Sequence, residues 1–259
     1  MNSESERKDK EEKEELEESS LLSHLIELRS RLMKAAGAIL VVFVGLVPFA
    51  QEVFTLVASP LMSQLPEGFT MVAIRPASPF LTPFKTAFFV ALFTAMPVVI
   101  YQAWAFVAPG LYKREKKVAL PLVLSSIFLF YAGAAFAYFV VFPLMFSFFA
   151  AATPEGVAMM TDIGEYLDFV VVLFFVFGLA FEVPIAILML VGAGIVSPQS
   201  LGSKRPYILL GAFTLGMLVT PPDMISQTLL AIPMYLLYEI GILMARLMLK
   251  KPEPEAEAD

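Results

Sequence analysis

Few side chains in this 259-residue sequence can do chemistry, and those that can are mostly acids set in basic or apolar surroundings. Glu27 lies in Ser23-His24-Leu25-Ile26-Glu27-Leu28-Arg29-Ser30-Arg31-Leu32, where Leu25, Leu28 and Leu32 share one helical face. Glu27 and Arg31 stand four apart, so they read either as a local ion pair worth roughly a few tenths of a kcal/mol, or as an acid at a membrane edge that receives a cationic ligand. Glu115 is the one acid in Lys113-Arg114-Glu115-Lys116-Lys117. It either tempers a basic loop or accepts a guanidinium in a bidentate, charge-assisted pair. Glu182, in Phe181-Glu182-Val183-Pro184, is surrounded by apolar residues. It reads as a proton or polar-ligand site facing a bundle interior, or as a protonated carboxyl bonded to backbone that Pro184 frees. Asp223 is placed to cap a following helix, and Gln227, one turn on, to bond across helices. His24 reads as an interfacial surface residue. Trp104, with Tyr101, Phe106 and Tyr112, reads as an interfacial aromatic anchor.

The elements that hold these residues are membrane helices. The chain is 58% hydrophobic and 16% charged, with a mean hydropathy of +0.77. That leaves too little polar surface for a soluble domain. Six apolar stretches fall near 32–50, 86–108, 119–143, 167–192, 207–220 and 227–246, giving an all-α fold of six transmembrane helices over 21–249. The second is expected to break at Pro97, and the fifth is too short for an average bilayer. Pro48, Pro121, Pro143, Pro184 and Pro233 predict further kinks and together a curved bundle with a concave face. Residues 1–20 carry nine acids and four bases, and 250–259 four acids and two bases, so both ends read as charged, disordered tails. The first twenty residues lack the apolar core of a signal peptide.

Basic residues set the orientation. Arg29, Arg31, Lys34, Lys113, Arg114, Lys116, Lys117, Lys204, Arg205, Arg246, Lys250 and Lys251 all fall on one side of the six crossings, against Arg75 and Lys85 on the other. Both termini are therefore expected to be cytoplasmic. The outer connection 51–85 holds five prolines among apolar residues, so part of it should pack as short interfacial helices. Residues 147–166 form a second outer cap.

With no cysteine and a single histidine, a disulfide is excluded and no metal or other cofactor is expected. No Walker loop, HExxH, GxSxG or CxxC pattern occurs, so the sequence does not read as an enzyme. A small secondary transporter or proton channel would use Glu182, but neither a repeat nor a second deep acid accompanies it. A scaffold without cargo recognition is the third class.

Six strings, in order, carry a more specific signal. His24-Leu25-Ile26-Glu27-Leu28-Arg29, Ala77-Ser78-Pro79-Phe80, Trp104 through Tyr112, Phe181-Glu182-Val183-Pro184, Lys204-Arg205-Pro206-Tyr207 and Thr220-Pro221-Pro222-Asp223 resemble signatures of the TatC family. The resemblance covers about residues 23–246. It implies a six-helix, cup-like receptor subunit of the twin-arginine protein-export translocase in the bacterial cytoplasmic (inner) membrane. Such a receptor binds Ser-Arg-Arg-type signal peptides of folded cargo and assembles with TatA and TatB, as an oligomer with TatB. It uses the proton-motive force and has no nucleic-acid partner. By the same resemblance Glu27 and Glu115 read the paired arginines, with Arg29 and Phe106 nearby. Pro60, Phe80 and Asp223 are functional outer-loop positions. Met217, Leu218, Thr220 and Gln227 receive partner helices, and Glu182 is a buried polar group facing the concavity.

Overall fold

The structure, a computed structural model, describes residues 2–62, 71–111, 116–154, 160–220 and 223–249. In chain order these form α1 (Asn2–Leu46), a 3-10 turn (Val47–Phe49), α2 (Ala50–Met62), α3 (Ser78–Leu111) and α4 (Lys116–Phe136). A π-helical turn (Ala137–Val141) leads into α5 (Phe142–Ala152), then α6 (Ile163–Gly192), α7 (Pro198–Ser203), α8 (Arg205–Val219) and α9 (Met224–Leu249). Among the described residues the one extended pairing is an isolated parallel bridge between Val72 and Asp162.

Five stretches are long and apolar enough to cross a membrane: Leu22–Ser59, Ser78–Phe106, Leu120–Phe149, Ile163–Gly192 and Met224–Leu247. The 15 residues of α8 span only about 22 Å, short of the ~30 Å hydrocarbon core. Val41, Phe128 and Phe139 are 73%, 71% and 72% exposed, a surface suited to lipid rather than water.

Proline chemistry accounts for the irregular segments. Pro48 sits at the start of the 3-10 turn where α1 bends into α2. That short helix is of the kind expected in the 51–85 connection. Pro143 follows directly on the π turn. Its ring clashes with the carbonyl four residues back and it offers no N–H, which widens the preceding turn. Pro121, Pro184 and Pro233 lie inside α4, α6 and α9.

One expectation needs correction. The second span does not break at Pro97, and it begins eight residues earlier than the expected 86: α3 is one helix of 34 residues. Ser78 precedes Pro79, and proline is tolerated in a first helical turn because its missing N–H had no partner to lose. Residues 2–20, expected to be disordered, continue α1 as helical backbone from Asn2. Glu, Lys and Leu are strong helix formers, and Glu4/Lys8, Glu6/Lys10 and Asp9/Lys13 stand at the spacing of favourable pairs. The 250–259 tail lies outside the described residues.

α6 is the centre of the bundle, packing on α3, α4 and α9, while α8 leans on α9 and α1 lies along α3. Half of the α6 span is buried, against 6% of the α1 span. Phe130, Met145, Leu173, Phe177 and Leu230 are fully buried around it. Close backbone approach permits this packing. A Cβ on Gly133 would overlap the Phe177 carbonyl, and one on Gly178 would meet the Phe130 ring at 2.5 Å. Small residues at such crossings let membrane helices make dense contact. Successive crossings gather the starts of α1, α4 and α8 with the ends of α3, α6 and α9 at one end of the bundle. It is called the basic end below.

Candidate functional site

At the basic end, α1 and α3 are joined by side chains from the segments singled out in the sequence. Arg31 donates to Glu27 Oε1 from Nε at 2.9 Å and from Nη2 at 2.6 Å. Its Nη1 reaches Gln102 Oε1 on α3 at 3.5 Å. The His24 ring stacks on Phe106, with centroids 4.3 Å apart and planes at 20°. His24 is thus exposed and also a clasp between two helices, which composition alone did not reveal. Both Arg31 contacts use one carboxylate oxygen of Glu27, so the local ion pair read from the i, i+4 spacing exists and leaves Oε2 out of it. Arg29, two residues from both Glu27 and Arg31, is exposed. Glu115 lies outside the described residues.

The opposite end carries the α8–α9 hairpin. Met217 and Leu218 are 53% and 74% exposed, whereas Thr220 is buried and donates to the Gly216 carbonyl at 2.9 Å. Asp223 Oδ1 accepts the Ser226 N–H at 2.7 Å, the capping role expected of it. Half-buried Gln227 packs its backbone against Gly216, where an added Cβ would meet it at 3.4 Å. The four residues expected to receive partner helices therefore lie on one hairpin, two of them outward. Ser226, missed in the sequence, is fully buried with an unpartnered hydroxyl.

Phe80, 67% exposed, leans on Phe84 at 5.0 Å. The side chain of Pro60 lies outside the described residues. A stronger feature of this end was also missed. Asp162 caps α6 by accepting from Gly164 N at 2.9 Å and Glu165 N at 3.2 Å, and its other oxygen takes the Ile74 N–H at 2.8 Å. Val72 pairs with the same segment, donating to Thr161 O and accepting from Ile163 N, each at 3.0 Å. The Ile74 bond leads the other two in holding the Asp162 carboxyl below the usual carboxylate range, against the opposing effect of burial. Ion pairs Arg75–Glu165 at 3.5 Å and Lys85–Asp168 reinforce the seam. An Asx cap could be foreseen from Asp162-Ile163-Gly164; its partner 88 residues away could not.

Inside the bundle, both Glu182 oxygens are buried without a partner at hydrogen-bond distance. The alternative of a carboxyl bonded to backbone freed by Pro184 is not what the geometry shows. Ser126 is completely buried and accepts from Trp104 Nε1 at 2.7 Å. Trp104 is therefore tied to α4 rather than being only a surface anchor. Among the described residues no cluster of three or more His, Asp or Glu is placed to hold a metal ion.

This arrangement defines a class: a polytopic helical membrane protein with an arginine–glutamate pair and an aromatic stack joining two helices at one end and a buried, partnerless carboxyl inside. The comparisons identify the class more narrowly. The family model described as Sec-independent protein translocase protein (TatC) matches residues 23–233. The Sec-independent protein translocase protein TatC of Azotobacter chroococcum is 58% identical over 236 residues, 91% of this chain and 92% of that one. Its counterpart in Escherichia coli K12 is 57% identical over 226 residues, covering 87% and 88%. A crystal structure of the twin arginine translocase receptor TatC matches with a TM-score of 0.77 at 38% identity, over 88% of this chain and all of that one. A second, in DDM, matches with 0.79 at the same identity, over 86% and 99%. The chain belongs to the TatC family, a component of the Sec-independent protein translocase.

Proposed function

We propose that this chain is the receptor subunit of a twin-arginine translocase. It binds the signal peptides of folded proteins and organises TatA and TatB for transport driven by the proton-motive force. It sits in the bacterial cytoplasmic membrane with both termini inside, as the basic residues favour. The observation that carries this reading is the Glu27 carboxylate at the basic end, held through one oxygen by Arg31 and set beside the His24–Phe106 stack. An arginine of the signal peptide can take Oε2, or displace Arg31 from Oε1, as a charge-assisted pair. Glu115 supplies the second acid for the second arginine. The exposed Met217 and Leu218, beside Thr220 and Gln227, offer partner helices an apolar face with polar groups within it.

The test is binding of a Ser-Arg-Arg peptide and of its Lys-Lys variant to the detergent-solubilised protein. A planar guanidinium pairs with a carboxylate through two bonds where an ammonium makes a point contact. The Arg-Arg peptide is therefore expected to be retained and the Lys-Lys peptide released. Equal retention of the two would remove the reading.

A further inference from the structure

Pro97 stands inside α3, yet that helix runs on from Ser78 to Leu111. In a regular helix the N–H of residue 97 would bond to the carbonyl of residue 93. Proline has no N–H, and its ring pushes that carbonyl aside. A carbonyl freed in this way inside a membrane is costly unless a neighbouring group serves it. Here the neighbour is Tyr131 of α4, whose hydroxyl donates to Phe93 O at 2.9 Å. Thr86 and Thr214 spend their hydroxyls on their own helices, on Thr82 O and Leu210 O, each at 2.8 Å. Tyr131 gives its proton to a different helix, at the carbonyl that Pro97 leaves without an amide.

The packing around this bond sets α4 against α3 on both sides of the proline. Phe93, Met96, Pro97, Ile100 and Trp104 recur at helical spacing along one face of α3, as Ser126, Ile127, Phe130 and Tyr131 do along one face of α4. Phe130, completely buried, forms a cluster with Met96 and Ile100. On the outer side of Pro97 the Tyr131 ring meets Phe93 edge-on, with centroids 5.3 Å apart. On the inner side Trp104 Nε1 donates to Ser126 Oγ at 2.7 Å. The segment past Pro97 then carries Gln102 to Arg31 and Phe106 to His24. Phe106 lies about 14 Å beyond the proline, so a change of about 10° in the bend there would move its ring by about 2 Å.

We infer that the Tyr131 hydroxyl takes the place of the amide that Pro97 lacks, and that Tyr131 is thereby a positioning residue for the peptide site. It fixes the course of the inner end of α3, and with it Gln102 and Phe106 against the Glu27 segment. The link to the peptide rests on the receptor reading above; the replacement of the amide does not.

A two-residue cycle tests this with Trp104 as reporter, since it is the one tryptophan in the chain. Its emission wavelength is read in the full, detergent-solubilised protein, without peptide, for Tyr131→Phe, Pro97→Ala and the double variant. Tyr131→Phe removes only the hydroxyl and should shift the emission. In the Pro97→Ala background the restored N–H serves Phe93, so adding Tyr131→Phe should shift it no further. No shift in the parent background, or an equal shift in both, overturns the inference. Should Tyr131→Phe fail to fold, Pro97→Ala must restore its yield in the double variant, and no restoration overturns the inference as well. Tyr131→Phe should also bind a Ser-Arg-Arg peptide severalfold more weakly than the parent, whereas the double variant should bind it as Pro97→Ala does. A shifted emission with unchanged affinity overturns the positioning role alone. If the parent binds no peptide, the receptor reading and the positioning role fall together, while the peptide-free emission still decides whether Tyr131 replaces the amide.

Discussion

Arg205, at the first position of α8, grips Glu239 of α9 with two parallel hydrogen bonds, Nε to Oε1 at 2.5 Å and Nη2 to Oε2 at 2.7 Å. A few residues away, the buried Tyr238 hydroxyl donates to the Leu201 carbonyl at 2.7 Å. The short helix α8 is therefore fastened to its neighbour at the basic end by a fork matched to a carboxylate. At the other end Gly216 lets the two backbones touch.

Arg205→Lys should loosen this hairpin while keeping the charge, because an ammonium cannot reproduce the planar fork. The pair is partly open to solvent, with side chains 42% and 28% exposed, so the expected loss is small. Thermal unfolding in detergent should show a lower midpoint for Arg205→Lys and a similar one for Glu239→Gln. A midpoint identical to the parent's for both would mean the fork contributes nothing.

Replacing Glu27 and replacing Arg31 should affect peptide binding in opposite directions. Glu27→Ala removes the acceptor. Hydrogen bonds to charged groups contribute roughly 1.5–3 kcal/mol, and partial exposure places this one at the low end, so affinity should fall about tenfold. Arg31→Ala removes the internal competitor for Oε1, and the peptide should bind at least as tightly as to the parent. Titration of a labelled Ser-Arg-Arg peptide decides between this competition and a purely structural ion pair, for which both substitutions would weaken binding.

The Asp162 seam should respond to acid. Its folded-state carboxyl lies below the usual value, so the stabilisation is complete above the unfolded pKa of about 3.9. It is lost as pH falls through the lower folded value. Hydrogen exchange should show the Ile74 and Gly164 amides protected at neutral pH and released in Asp162→Ala. In the parent chain the same release should begin only below about pH 4. Release at pH 5 or 6 would contradict the sign of the shift.

Gly133→Ala should be poorly tolerated although it raises helix propensity, because the new methyl collides with backbone of α6 rather than with a side chain that could swing away. Overpacking of this kind costs about 1–3 kcal/mol. The unfolding midpoint should fall accordingly. An unchanged midpoint would mean that α4 and α6 separate more easily than their packing implies.

Glu182→Gln should keep most export activity, since the amide can still hydrogen-bond, whereas Glu182→Leu should lose more. Export rates at matched abundance distinguish this from a proton relay, for which glutamine would be as inactive as leucine.

The approximate places of the spans were legible because they depend on composition, which acts locally; the central position of α6 depends on packing between helices and was not. The start of α3 at Ser78 was harder to see, since Pro79 and Pro83 usually signal an interruption, and Pro79 here occupies a first turn that needs no N–H from it. The Glu27–Arg31 pair followed from spacing. The Asp162–Ile74 bond did not, because it joins residues 88 apart through a bridge that no local pattern encodes. The partner of Trp104 was hidden for the same reason: indole and hydroxyl sit on different helices, and each string alone reads as ordinary membrane sequence.

The π turn at Ala137–Val141 acts as a phase shifter. One residue more than an α-helical turn needs is accommodated there, and each residue advances a helix by about 100°. Everything C-terminal to it is rotated relative to α4 by that amount. That rotation is what points Phe142 and Met145 at Val170 and Leu173 of α6 within the buried cluster. Removing a single residue between 137 and 141 would restore a regular helix and rotate those two side chains out of the buried cluster, without altering any residue that does chemistry.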